Sequence, residues 1–141
     1  MTTTRYDNDV LKEILSKTKI IAVVGASPDS NRDSHEVMAF LQRHGYRTIP
    51  VNPKAAGTII LGETVYPDLA SIPVKIDLVD IFRNSEAAGA AVDEAIAVGA
   101  DTVWMQLGVR NDKAAARAEA AGLNVVMDLC IKIEYRRLYG P

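Results

Sequence analysis

Cysteine is nearly absent: Cys130 stands alone in 141 residues, so no intrachain disulfide staples the fold and stability must come from a packed core. Histidine is almost as scarce, and His35 and His44 with one cysteine match no zinc-ligand spacing. No apolar run approaches the roughly 20 residues of a spanning helix. The stretch Met1-Thr2-Thr3-Thr4-Arg5-Tyr6-Asp7 has no apolar signal core. A soluble, cytoplasmic protein without membrane contact is expected. Basic excess is missing too: 16 Lys and Arg against 18 Asp and Glu leave a formal net charge of −2. That excludes the global positive field that drives nucleic-acid binding, so any anion site must be local.

What is present is apolar. At 48% hydrophobic residues over 141 positions the chain supports one core, read as a single domain over 1–141. Val10, Leu11, Ile14 and Leu15 have helical spacing after Asp7, a candidate N-cap, and Ser16-Lys17-Thr18 ends this leading helix. Ile20 to Val24, unbroken by charge, predicts a strand covered on both faces. A helix follows from Asp33 to His44, with an apolar stripe of Val37, Met38 and Leu41, Asp33 or Ser34 as its cap, and Gly45 closing it. Tyr46 to Val51 reads as the second strand. Lys54 to Asp68, with Gly57, Gly62 and Pro67, reads as an irregular excursion holding at most a short edge strand, and Leu69 to Ile72 as one helical turn.

The rhythm then repeats. Ile76 to Phe82 predicts a strand, Ser85 a cap for the alanine-rich helix Glu86 to Val98, and Gly99 its end. Thr102 to Leu107 and Asn124 to Met127 predict two more strands, with helices from Asp112 to Ala121 and from Leu129 to Arg137. Strands alternating with helices specify an α/β fold: a Rossmann-like open parallel sheet of about five strands with helices on both faces.

In such sheets ligands bind where loops leave the carboxyl ends of the strands, and a helix N-terminus there offers backbone N–H groups to an anion. Four loops leave that edge: Gly25-Ala26-Ser27 with Arg32, Asn52-Pro53-Lys54, Phe82-Arg83-Asn84-Ser85, and Gln106-Leu107-Gly108 with Arg110. Each carries a cation or an amide donor. Exposed ion pairs contribute only about 0–1 kcal/mol, so stability gives little reason to gather cations on one rim. A phosphate-bearing ligand is expected, with Arg110 as a solvated loop charge. The dinucleotide fingerprint fails: Gly25 stands alone, Ser27 takes the place of the second glycine, and the second strand ends in Asn52 and Lys54 rather than an acid. A lysine there suits a ribose bearing an extra phosphate, as in NADP or coenzyme A.

Taken together, Gly25-Ala26-Ser27 with Arg32, Val51-Asn52-Pro53-Lys54, Val79-Asp80-Ile81-Phe82-Arg83, Trp104 to Val109 and Met127-Asp128-x-Cys130 resemble the stand-alone bacterial and archaeal CoA-binding proteins of the YccU type. These are similar to the N-terminal domain of the succinyl-CoA synthetase α subunit, and the resemblance runs from about Leu11 to Leu138. It implies coenzyme A held through its phosphates and adenine. Gly25, Ala26 and Ser27 would face the phosphates and Asn52, Pro53 and Lys54 the nucleotide end, with Phe82, Arg83, Gln106 and Leu107 bordering the ligand. Leu129 and Ile131 stand where that pattern has Arg and Pro, and the synthetase's phosphorylated histidine lies in a second domain outside the resemblance. Its reaction is not implied.

The expectation is a non-catalytic carrier, sensor or accessory module for coenzyme A or acyl-CoA, with no protein partner identified. The alternative is an NADP-dependent oxidoreductase. Cys130 reads either as an inert half-buried thiol or as a reactive one able to pair with the thiol of coenzyme A. Trp104 reads as packing. Asp77 and Asp80, unusual inside a strand, either cap neighbouring backbone or reach the site.

Overall fold

The computed structural model describes residues 6–140. Helix α1 (Asn8–Lys17) leads into β1 (Ile20–Val24), α2 (Asp33–Arg43) and β2 (Arg47–Val51). A hairpin of β3 (Ile59–Ile60) and β4 (Glu63–Thr64) follows, then β5 (Leu78–Ile81), α3 (Ser85–Val98), β6 (Thr102–Met105), α4 (Asp112–Ala120), β7 (Asn124–Val126) and α5 (Ile131–Tyr139). Among the described residues no helix is long and apolar enough to cross a membrane.

Five strands form one parallel sheet in the order β2-β1-β5-β6-β7, which is the Rossmann-like α/β architecture expected. Alternation along the strands divides the core. Ala22, Val24, Val79, Ile81, Val103 and Met105 meet the alanines of α3 and α4 on one face. Ile21, Val23, Leu78 and Trp104 meet α1, α2 and Ile131 of α5 on the other. Each large apolar side chain so buried contributes about 1.5–3 kcal/mol. The chain runs outward from β1 to β2 and then returns to the other side of β1 with β5. The loops after β1 and β5 therefore lead to helices on opposite faces of the sheet, and the carboxyl edge between them is where such sheets take their ligands.

Several local expectations change. The apolar signal of 76–82 and 102–107 outruns the ladder of β5 and β6, and β7 stops at Val126. The 54–68 excursion contains an antiparallel hairpin, whose two-residue turn uses Leu61 at φ 49 and Gly62 at φ 84. Leucine rarely adopts a positive φ, so the turn carries no Asn-Gly signal. Leu69 to Ile72 forms a turn closed by Ile72 N–H to Leu69 O at 3.1 Å, without a helix. Asn84, not Ser85, caps α3 by accepting from Ala87 N at 2.8 Å. The C-terminal helix starts at Ile131 rather than Leu129, because the Leu129 carbonyl accepts the Trp104 indole N–H at 2.8 Å. That bond adds a tie to the packing expected of Trp104.

The two aspartates divide: Asp77 precedes β5 and Asp80 lies within it. Asp77 caps backbone, its Oδ2 accepting from Lys19 N and Ile20 N at 3.0 and 2.9 Å. Asp80 is fully buried between Val23 and Trp104, and neither carboxyl oxygen has a partner among the described residues. Burial pushes its carboxyl well above the usual range.

Candidate functional site

Two loops meet at the switch of strand order. Gly25 leaves β1 at φ +87, and a β-carbon there would stand 2.7 Å from the Phe82 carbonyl oxygen and 3.1 Å from Arg83 Cδ. Glycine is what lets the β1 and β5 loops approach this closely. Gly25 N donates to Val51 O at 3.0 Å, which draws the end of β2 into the same corner. Asn52 locks it: its Nδ2 donates to Ala26 O at 2.9 Å and its Oδ1 accepts from Lys54 N at 2.9 Å. The Asn52 amide is thus committed to the protein's own backbone, tying one ligand-facing loop to another.

Around this corner lies a cleft of about 340 Å³ lined by Gly25, Arg32, Asn52, Pro53, Lys54, Phe82, Arg83 and Asn84. No carboxylate among the described residues lines it. Nor does Arg32, Lys54 or Arg83 pair with a carboxylate among those residues. Arg32 leaves its acidic neighbours Asp29 and Asp33 unpaired with it, whereas Arg110 pairs with Asp112 at 3.2 Å. Three exposed cations converging on one concave surface make a local positive potential in a chain of net negative charge.

The start of α2 adds donors. Helices α1, α3 and α4 each have a side-chain N-cap, Asp7, Asn84 and Asn111. At α5 the first amide, Ile131 N, donates to Gln106 Oε1 at 3.1 Å. Helix α2 instead begins after Arg32, which makes no cap bond, so the expected cap from Asp33 or Ser34 is not formed. Both lie inside the helix, one residue too late. Its first turn opens on a second cleft, lined by Gly25, Asn31, Arg32, Asp33, Ser34 and Phe82. Uncapped N–H groups at a helix N-terminus suit an anion, although the Asp33 carboxylate competes there.

Of the residues expected at the site, Gly25, Arg32, Asn52, Pro53, Lys54, Phe82 and Arg83 come together. Ala26 is buried behind them, and the Ser27 hydroxyl turns its own loop by accepting from Asp29 N at 3.1 Å. Gln106 and Leu107 fall elsewhere, on a third cleft between α2 and α5 that shares Phe82 with the first two. Cys130, half-buried, lines this third cleft, as do Lys132 and Arg136. Lys132 pairs with Glu36 of α2 at 2.6 Å, and that hydrogen bond holds the Glu36 carboxyl below its ordinary range. Asn31, Ser34, Lys132 and Arg136 were not among the expected residues. Lys132 and Arg136 sit four apart on α5, a spacing legible as one helix face, but their approach to α2 is a tertiary fact. No group of His, Cys, Asp or Glu among the described residues is placed to hold a metal ion.

Comparisons with known proteins place the chain in a family. The sequence profile of the family described as CoA binding domain matches residues 19–136. YneT of Bacillus subtilis, an uncharacterized protein, is 39% identical over 125 residues, covering 89% of this chain and 91% of that one. An ADP-forming acetate–CoA ligase of Archaeoglobus fulgidus is 34% identical over 82 residues, which are 58% of this chain and 12% of the ligase. The solved structure of a hypothetical protein from Pyrococcus horikoshii superposes with a TM-score of 0.91 at 40% identity, covering 99% of this chain and all (100%) of that one.

Proposed function

The chain belongs to the CoA binding domain family, and on that premise we propose that it binds coenzyme A with the nucleotide end in the Gly25 cleft, as a non-catalytic carrier, sensor or accessory module. One observation carries this: Arg32, Lys54 and Arg83, paired with no carboxylate among the described residues, converge on a cleft that no described carboxylate lines. Coenzyme A brings a diphosphate and a separate 3′-phosphate. The first suits the uncapped start of α2 with Arg32, and the second suits Lys54 at the end of β2. Relation to a protein named as an acetate–CoA ligase supports coenzyme A over a nicotinamide dinucleotide, as does the missing second glycine at Ser27.

Calorimetric titration with coenzyme A, dephospho-CoA, NADP and NAD tests it. A lysine-to-phosphate bond contributes about 1.5–3 kcal/mol when desolvated, and Lys54 is exposed, so the lower end applies. Lys54→Ala should weaken coenzyme A by about tenfold and leave dephospho-CoA nearly unchanged. Equal losses for both would remove Lys54 from the 3′-phosphate. Tight NADP binding with no response to coenzyme A would overturn the proposal.

A further inference from the structure

The opposite edge of the sheet carries a surface of another kind. At the amino ends of β1 and β2, a hollow of about 280 Å³ opens between the C-terminal parts of α1, α2 and α5, with Leu15, Lys19, His44, Tyr46, Tyr135 and Tyr139 in its lining. Aromatic residues make up only 6% of the chain, yet three of its five tyrosines stand here. Tyr135 is the hub: the rings of Phe40, His44, Tyr46 and Tyr139 surround it with centroids 4.9 to 6.1 Å away. Rings packed against one another leave little free π-face, which disfavours a cage for an organic cation or a stack of nucleobases.

The polar groups of the hollow favour an anion instead. Tyr46 O–H donates to Leu15 O at 2.7 Å and Tyr139 O–H to Lys12 O at 3.2 Å, which ties both rings to α1. Burial and the neighbouring phenols of Tyr135 and Tyr139 push the Tyr46 hydroxyl above its ordinary value, so the three phenols share one neighbourhood. The Tyr135 hydroxyl has no hydrogen-bond partner among the described residues. Nor does the Lys19 ammonium pair with a carboxylate among them, and no described carboxylate lines the hollow. Asp77, the nearby acid, commits its Oδ2 to the Lys19 and Ile20 amides. Arg43 adds positive charge, its guanidinium 6.0 Å from the centroid of the Phe40 ring.

We propose that this hollow docks an acidic segment of a partner protein: a carboxylate of the partner meets the Lys19 ammonium and the Tyr135 hydroxyl, while an apolar side chain beside it covers Tyr139, which is 46% exposed. Tyrosine is enriched at protein interfaces, and the sign of the unpaired charge selects the partner. The volume falls short of the ~300–1,000 Å³ of small-molecule pockets, so a side chain fits it better than a whole ligand. A second copy of this chain is disfavoured, because a two-fold contact would set Lys19 and Arg43 against themselves. The proposal does not rest on coenzyme A. Helix α2 runs from Arg32 at the cationic rim to His44 at this hollow, so the two surfaces are separate.

The probe is a synthetic peptide of alternating glutamate and leucine, titrated into the isotope-labelled full chain and followed by amide chemical shifts. Peptides with glutamine or lysine in place of glutamate are the controls. Expected are saturable shifts centred on Lys19, His44, Gly45 and Tyr46 with the acidic peptide and none with the glutamine form. Lys19→Glu, at an exposed residue, should weaken the acidic peptide about tenfold and gain affinity for the lysine form. Tyr135→Phe keeps the ring and removes only the hydroxyl, and should weaken the acidic peptide about fivefold. Shifts confined to the rim of Arg32 and Lys54 would overturn the proposal, as would equal binding of the three peptides, unchanged affinity in either variant, or no binding. Concentration-dependent shifts at the same amides without peptide would replace the acidic partner by a second copy. A response to single-stranded oligothymidylate and not to the peptide would replace it by a nucleic acid.

Discussion

Replacing Gly25 by alanine isolates the close approach on which the cationic cleft is built. An L-residue in the left-handed region costs about 1–2 kcal/mol, and Gly25 sits at φ +87. The added β-carbon would also meet the Phe82 carbonyl oxygen at 2.7 Å, so backbone must move. If the Gly25 N–H to Val51 O bond at 3.0 Å gives way, another ~0.5–1.5 kcal/mol is lost. The sum, about 1.5–3.5 kcal/mol, lowers Tm by roughly 5–12 °C in a chain of this size. Gly57 is the internal control: it has the same φ of +87, and a β-carbon added there would meet nothing within 4 Å. Gly57→Ala should show the backbone cost alone and leave coenzyme A binding intact. Gly25→Ala should lose more stability and also lose affinity, because Phe82 and Arg83 are displaced together. Urea unfolding gives the first quantity and calorimetry on the folded protein the second. Equal destabilisation of the two variants, with equal affinity, would refute the role assigned to the Gly25–Phe82 contact.

Asp80→Asn should flatten the pH dependence of stability. The unfolded carboxyl titrates near ~3.9, whereas burial raises the folded one well above that. Above pH ~4 the unfolded state therefore releases a proton that the folded state keeps. Native stability falls by up to about 1.4 kcal/mol per pH unit until the pH passes the raised folded value. Asparagine has no such proton, so urea unfolding of both proteins between about pH 4.5 and 6.5 should give lines that diverge; parallel lines would mean that Asp80 is ionised in the native state. Asn52→Ala removes the bonds to Ala26 O and Lys54 N, about 1–3 kcal/mol together. It should weaken coenzyme A although the amide itself is occupied within the protein, and unchanged unfolding by urea would count against its tie between loops.

Much of this molecule is legible along the chain, and the exceptions share a cause. The unbroken run Ile20 to Val24 announces a doubly covered strand, and the glycines after α2 and α3 mark their ends, because these signals act within a few residues. The hairpin escapes such a reading because Leu61 holds a positive φ that only its surroundings enforce. The rim is legible as a set, since parallel strands deliver successive loops to one edge. Its division into clefts is not. Gln106 turns toward α5 because its Oε1 meets Ile131 N and the Trp104 indole meets Leu129 O, contacts 25 residues apart in the chain. Asn52 shows the same limit: residue type identifies a donor but not its acceptor.

The unpaired cations carry an energetic consequence. Arg32, Lys54 and Arg83 repel one another across the cleft, and acidic partners lie close by in Asp29 and Asp33. Internal pairing would relieve that repulsion, but exposed pairs return only about 0–1 kcal/mol, so leaving the site open costs the fold little. A bound polyanion relieves all three charges at once and stabilises the folded state by mass action. Gly25 and Asn52 keep the three loops that carry these charges in one corner, which makes the cation geometry a property of the sheet's switch point rather than of flexible side chains alone. The neighbouring cleft, with its charges already balanced by the Glu36–Lys132 pair, gives no such relief to a phosphate.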